Sequence, residues 1–158
     1  MSLQLQKYDK EIITQSMIDN YKLGSSENIG GPESIIQRSR YNSNMSPIMI
    51  LNDNKLVGCL CLHIKDGPVT YGGNFDTDIL LRAFSVDRRC RRKGYAKAAL
   101  LELPSFVREN FQNIQRLVLA VNHSNIAAQR LYERVGFTDS GKRIMGKLGE
   151  IYIYYEVI

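Results

Sequence analysis

Two nearly unbroken apolar runs, one within "TDILLRAFSV" (77–86) and one in "RLVLAV" (116–121), are separated by a stretch that reads as a single helix. A hairpin needs only a few connecting residues, whereas a parallel pair needs a crossover of about a dozen or more, with a right-handed helix as the usual solution. The two runs are therefore read as neighbouring parallel strands, buried on both faces. A second helix follows in "SNIAAQRLYERVGF", where Ser124 or Asn125 can cap the start and Gly136 can end it. "FTDSGKRIM" and "IYIYYEVI", joined at "GKLGE", complete the chain as an antiparallel pair.

The first half reads differently. "SLQLQKY" alternates as a short strand, and "KEIITQSMIDNYKL" spaces Ile12, Ile13, Met17, Ile18 and Tyr21 at helical intervals up to Gly24. Pro32 opens a second helix through "ESIIQRSRYN" after the loop "GSSENIGGPES". "SPIMILNDNKLVGCLCLHI" is a hairpin turning at Asn52–Asn54, and "KDGPVTYGGNFD" is a loop. The long helix runs from Gly94 to Asn110, with Pro104 expected to kink it or end it early. The expectation is an α/β fold of one domain over residues 1–158, a mixed sheet of about seven strands with about four helices.

Where the first parallel strand meets its helix, five of the six residues from Arg88 to Lys93 are basic, and Gly94 follows. The amides of a first helical turn have no acceptor within the helix, and the macrodipole is positive there, so this turn suits an anion. Gly94 lets backbone approach a ligand, and Ala96 keeps bulk away. Neither G-x-G-x-x-G nor G-x-x-x-x-G-K-[ST] occurs in the chain. The competing reading is a solvated basic loop. Arg88, Arg89, Arg91, Arg92, Lys93 and Lys97 account for the whole formal charge of +5, since without them the chain would be slightly acidic. Basicity this local points to one anion site more than to a nucleic-acid surface.

Together with the later helix, this turn resembles a family. Arg91-Arg92-Lys93-Gly94-Tyr95-Ala96 is similar to the R/Q-x-x-G-x-G/A motif of the GNAT superfamily of acetyl-CoA-dependent N-acetyltransferases. Asn125, Ala128, Leu131, Tyr132, Gly136 and Phe137 match its N-x-x-A-x-x-L-Y-x-x-x-G-F signature. The resemblance is specific from about Leu80 to Phe137. It implies a GNAT-like acyl-CoA N-acyltransferase fold whose central parallel strands splay to admit the pantetheine arm. Phe84, Ser85 and Val86 would line that gap, with an N–H near Phe84 or Ser85 donating to the acetyl oxygen. The pyrophosphate would meet the amides of Arg92 to Ala96, including Lys93, Gly94 and Tyr95, beside the Arg91 side chain. Arg88, Arg89 or Lys97 would reach the outlying phosphate of coenzyme A.

The resemblance also assigns chemistry. Tyr132 is the acid for the departing thiolate, or else a packing residue beside Leu131 and Val135. Asn125 is a cofactor contact or a helix cap. A glutamate common in relatives is missing: four residues before Val86 stands Arg82, and six before it Leu80. Asp76, Asp78 and Glu150 are candidate bases that read more simply as solvated carboxylates, and the base stays unassigned. The implied activity is transfer of acetyl from acetyl-CoA to the primary amine of a small molecule, by direct attack in a ternary complex. The alternatives are a catalytically weak acyl-CoA sensor of the same fold and a protein or peptide N-acetyltransferase. Tyr152 and Tyr154 on one strand face and Tyr155 on the other, with Glu27, Glu33 or Glu150, would suit a cationic amine.

The remaining features exclude more than they add. Cys59 and Cys61 fall on one strand face as small hydrophobes. With Cys90 they form no zinc pattern, and His63 and His123 are far apart, so no metal is expected. No apolar run approaches the roughly 18 residues of a membrane span, and the first ten residues lack a secretory layout. A cytoplasmic protein is expected, with a small-molecule amine as partner, no nucleic acid and no membrane; a homodimer is a permitted assembly.

Overall fold

A computed structural model describes residues 2–24 and 30–158. In chain order it contains β1 (Leu3–Lys7), α1 (Gln15–Asp19), α2 (Pro32–Ser39), β2 (Met45–Asn52), β3 (Lys55–Ile64), α3 (Asp66–Val69) and β4 (Asp78–Val86). There follow α4 (Tyr95–Asn110), β5 (Arg116–Asn122), α5 (Ile126–Arg134), β6 (Thr138–Gly146) and β7 (Gly149–Val157). The strands form one mixed sheet in the order β1-β2-β3-β4-β5-β7-β6, in which only β4 and β5 pair in parallel.

Strand alternation sorts the core into two layers. Ile48, Ile50, Leu60, Leu62, Ile79, Leu81, Leu117 and Leu119 face α4, which contributes Ala99, Leu100, Leu103 and Val107. Met49, Leu51, Cys59 and Cys61 face the other way, against Ile13, Ile18, Ile35 and Ile36 from the α1–α2 segment. Full burial of each such aliphatic side chain contributes about 1.5–3 kcal/mol. Both cysteines are fully buried on one face, where burial pushes each thiol up to about 11 and suits a packing role.

Three elements depart from the pattern read in the sequence. The helix α4 runs unbroken through Pro104, because its buried face packs on the sheet on both sides of the proline. The first helix is only Gln15–Asp19. Thr14 caps it by accepting from the Met17 amide at 3.2 Å. Beyond its end the chain is drawn toward β4: the Lys22 amide donates to Asp87 Oδ2 at 3.1 Å, and the Arg88 amide donates to the Lys22 carbonyl at 2.8 Å. Finally, the expected loop at "KDGPVTYGGNFD" contains the single helical turn α3, closed against His63.

Candidate active site

The parallel pair is joined for only three residues. Asp78, Ile79 and Leu80 pair with Arg116, Leu117 and Val118, after which β4 and β5 have no register in common. The splay expected from the resemblance is therefore present. On its other side, β4 bulges against β3: Cys59 faces Ser85 and Cys61 faces Arg82, so Ala83 and Phe84 together oppose Leu60. Ala83 takes a positive φ of 54°. A bulge of this kind breaks the ladder and re-aims backbone groups beside the gap.

Beside the divergence lies a cleft of about 900 Å³ lined by Phe84, Ser85, Val86, Arg91, Arg92, Ala96, Asn122, Asn125, Ala127, Ala128, Leu131, Tyr132 and Leu148. Seven of the residues assigned to the cofactor thus converge with Tyr132 on one cavity. Three lie elsewhere by side chain. Lys93 lines a separate cleft with Tyr21 and Lys55. The Tyr95 hydroxyl accepts from Asn52 Nδ2 at 3.1 Å. Gly94 is the N-cap of α4 at φ 80°, a left-handed conformation that glycine adopts without strain. For Lys93, Gly94 and Tyr95 only the backbone is a candidate contact.

The helix start fits a diphosphate. No side chain caps α4, so the first-turn amides keep free N–H groups, and a helix of 16 residues adds its positive end. Arg91 and Arg92 border the same space. The nearby arginines divide their roles. Arg89 is held by Asp87, with Nε at 3.0 Å and Nη2 at 2.8 Å, and also donates to the Asn20 carbonyl. It ties the end of α1 to the turn, which corrects its assignment to the outlying phosphate. Asp87, a residue the sequence reading passed over, is 1% exposed. Burial pushes its carboxyl up, but bonds from the Arg89 side chain and the Arg89 and Lys22 amides outweigh this and hold it below the usual range.

Tyr132 is half-buried at the cleft, its ring edge-on to Phe137 at 5.8 Å. Its hydroxyl has no hydrogen-bond partner among the described residues, and burial pushes its pKa up to about 12. It therefore stays protonated at neutral pH, as an acid must. Asn125 Oδ1 accepts from the Ala128 amide at 3.2 Å, so the capping role is real while the residue also borders the cleft. Ser85 contributes backbone to the cleft, but its hydroxyl lies on the opposite face, 2.7 Å from the Tyr21 hydroxyl and 3.5 Å from Cys59 Sγ. Tyr21 was legible only as a helix-face residue; nothing in the sequence tied it to Ser85.

Among the base candidates, Asp78 is not solvated. It is 1% exposed and takes Arg116 Nε at 3.0 Å and Nη2 at 2.8 Å. Burial raises its pKa, and the Arg116 bonds more than reverse that. Asp76 and Glu150 are exposed. The tyrosines of β7 are also committed: Tyr154 is buried in the core, Tyr152 lies under Arg143 at 3.5 Å, and Tyr155 under Arg116 at 5.4 Å. Glu27 lies outside the described residues. Among those residues no cluster of three or more His, Cys, Asp or Glu could hold a metal, and no helix is long and apolar enough to cross a membrane.

A mixed sheet split between its parallel strands, above a helix start with no cap of its own, agrees with the fold that the resemblance implies. A sequence profile of the acetyltransferase (GNAT) family matches residues 14–137, and the chain belongs to that family. It is 35% identical over 127 residues to "Uncharacterized N-acetyltransferase YbbJ" of Bacillus subtilis (strain 168), covering 80% of this chain and 79% of that protein. Its fold is similar to AAC(6')-Ib in complex with ribostamycin and coenzyme A, at TM-score 0.76 and 12% identity over 99% of this chain and 94% of the other. A spermidine N-acetyltransferase SpeG chimera from Vibrio cholerae and hSSAT matches at TM-score 0.72 and 13% identity, over 99% and 96% of the two chains. A Bacillus subtilis acetyltransferase in complex with coenzyme A matches at TM-score 0.69 and 12% identity, over 99% of both.

Proposed function

We propose that this protein transfers the acetyl group of acetyl-CoA to the primary amine of a small molecule, by direct attack within a ternary complex. The observation that carries the reading is the cleft itself. An anion-binding helix start, the bulged strand and the Tyr132 hydroxyl border one space where β4 and β5 part. Related folds seen with coenzyme A or acetyl-CoA support the choice of donor.

In this reading the amides of residues 92–96, with Arg91 and Arg92, hold the diphosphate. The backbone around Phe84 and Ser85, freed by the bulge, stabilises charge developing on the acetyl oxygen. The acceptor must arrive as a free amine, because an ordinary alkylamine with a pKa of about 10.4 is mostly protonated at neutral pH. No carboxylate among the described residues is available at the cleft for that proton, so it passes to water. As the C–N bond forms and the C–S bond breaks, Tyr132 gives its proton to sulfur and recovers one from solvent.

Screening amines for thiol release from acetyl-CoA tests the proposal. Amine-dependent release is expected with at least one small-molecule class. Acetyl-CoA binding without release for any small amine or peptide would instead identify a sensor of the same fold.

A further inference from the structure

The face of the sheet turned away from α4 is where an acceptor would approach the bulge, and its charge is wrong for a polycation. Leu80, Val118 and Ile153 are buried there, with Ala120 and Ile151 half-buried beside them. Arg82 stands next to this apolar wall, immediately before Ala83 in the bulge, and pairs in register with Cys61. It is half-buried, and no carboxylate among the described residues forms an ion pair with it.

What holds Arg82 is a histidine. Its Nη1 lies 3.3 Å from His63 Nδ1, and His63 Nε2 lies 3.0 Å from Asp66 Oδ1. A guanidinium only donates, so Nδ1 is the acceptor and Nε2 donates to Asp66 at 3.0 Å, the shorter of its two contacts, with Asn42 Nδ2 standing 3.4 Å from the same nitrogen. His63 is 4% exposed and is pressed by Gly67, where a Cβ would stand 2.5 Å from its Cγ. Asp66 is fixed in turn by Asn44 Nδ2 at 2.8 Å and Asn42 Nδ2 at 3.0 Å. The chain of contacts orients one N–H of Arg82 and leaves the other donors for a ligand.

The surrounding charge points the same way. Both oxygens of Asp78 are taken by Arg116, and one also accepts from the Asn74 amide at 2.7 Å. A site for a polyamine needs carboxylates here, and the two nearest in this network, Asp66 and Asp78, are already bonded.

We propose that Arg82 receives a carboxylate of the acceptor, so that the acetylated amine belongs to an amino acid whose apolar body lies over Ala120, Ile151 and Ile153. His63 is the positioning residue that aims the guanidinium. This rests on the acetyltransferase reading above.

The test compares leucine and phenylalanine with their decarboxylated amines and with spermidine, following thiol release from acetyl-CoA. The amino acids are expected to show at least about 10-fold higher kcat/KM than the decarboxylated amines, as a charge-assisted bond implies. R82Q is expected to raise KM for the amino acids about 10- to 100-fold with kcat little changed, and R82K to recover part of that loss. Acetyl-CoA binding by R82Q should equal wild type. Preference of the wild type for spermidine or the decarboxylated amines overturns the proposal and leaves the transferase reading intact; this arm needs no variant. Calorimetric titration of leucine into the coenzyme A-saturated protein separates the two readings. Binding that R82Q weakens, in a protein releasing no thiol, sustains the carboxylate site and removes the transferase. Absence of leucine binding and turnover overturns the site.

Discussion

Tyr132→Phe removes one oxygen from the cleft and little else. The ring keeps its edge contact with Phe137 at 5.8 Å. The lost hydroxyl has no partner among the described residues, so no buried donor or acceptor is orphaned, and stability should change by less than about 0.5 kcal/mol. With the hydroxyl pushed up to about 12, only about one molecule in 10⁵ is ionised at pH 7, so the wild-type group is a proton donor throughout the neutral range. If that proton goes to the leaving sulfur, the variant loses roughly 10²–10⁴ in turnover, equivalent to about 3–5 kcal/mol of barrier. Acetyl-CoA affinity should hardly move. Single-turnover thiol release and a thermal-shift titration, run side by side, supply the two numbers. The deficit should shrink with an acetyl donor of more acidic thiol, because a better leaving group needs less protonation. Wild-type single-turnover rates in the variant refute the assignment, and parallel losses of stability and cofactor affinity replace it with a packing role.

Three further outcomes follow from the same geometry. Gly94→Val puts a β-branched residue at φ 80°, at a cost of roughly 1–2 kcal/mol; it should abolish the rise in melting temperature that acetyl-CoA produces in the wild type while the protein still melts cooperatively. Arg89→Ala should lower the melting temperature without altering the preference for coenzyme A over dephospho-coenzyme A, because Arg89 is engaged by Asp87 and Asn20; Arg88→Ala or Lys97→Ala should do the reverse, and a preference unchanged from wild type in both variants would remove those two from the outlying phosphate. The Asp78 and Asp87 carboxyls are held below their ordinary value near 3.8, so their stabilisation is complete above that value and is lost as pH falls through the lower folded values. Urea midpoints should be flat from about pH 7 to 5 and drop below about 4, and Asp78→Asn should start lower at neutrality yet lose less on acidification.

The order of strands and helices, the parallel pair and the basic turn that opens α4 were legible because each rests on local periodicity or on a short contiguous motif. A 3.6-residue or two-residue repeat is imposed by the backbone itself, and an uncapped helix start needs only a strand, a glycine and a helix in succession. Tertiary contacts decided the rest. Pro104 is a breaker by its own chemistry, but burial of Leu100, Leu103 and Val107 on the sheet carries the helix through it. Arg89 looked like a phosphate ligand until Asp87 and the Asn20 carbonyl, brought in by the end of α1, claimed it. Asp78 looked solvated until Arg116, 38 positions away, paired with it across the sheet. The bulge at Ala83–Phe84 leaves no mark in composition, since its register is set by β3. The relay from Asp66 through His63 to Arg82 joins the start of α3 to two strands. Sequence determines which groups are available; the neighbours that desolvate, pair or aim them are chosen by the packing of distant segments, and that choice fixes which charges are spent on the fold and which face a ligand.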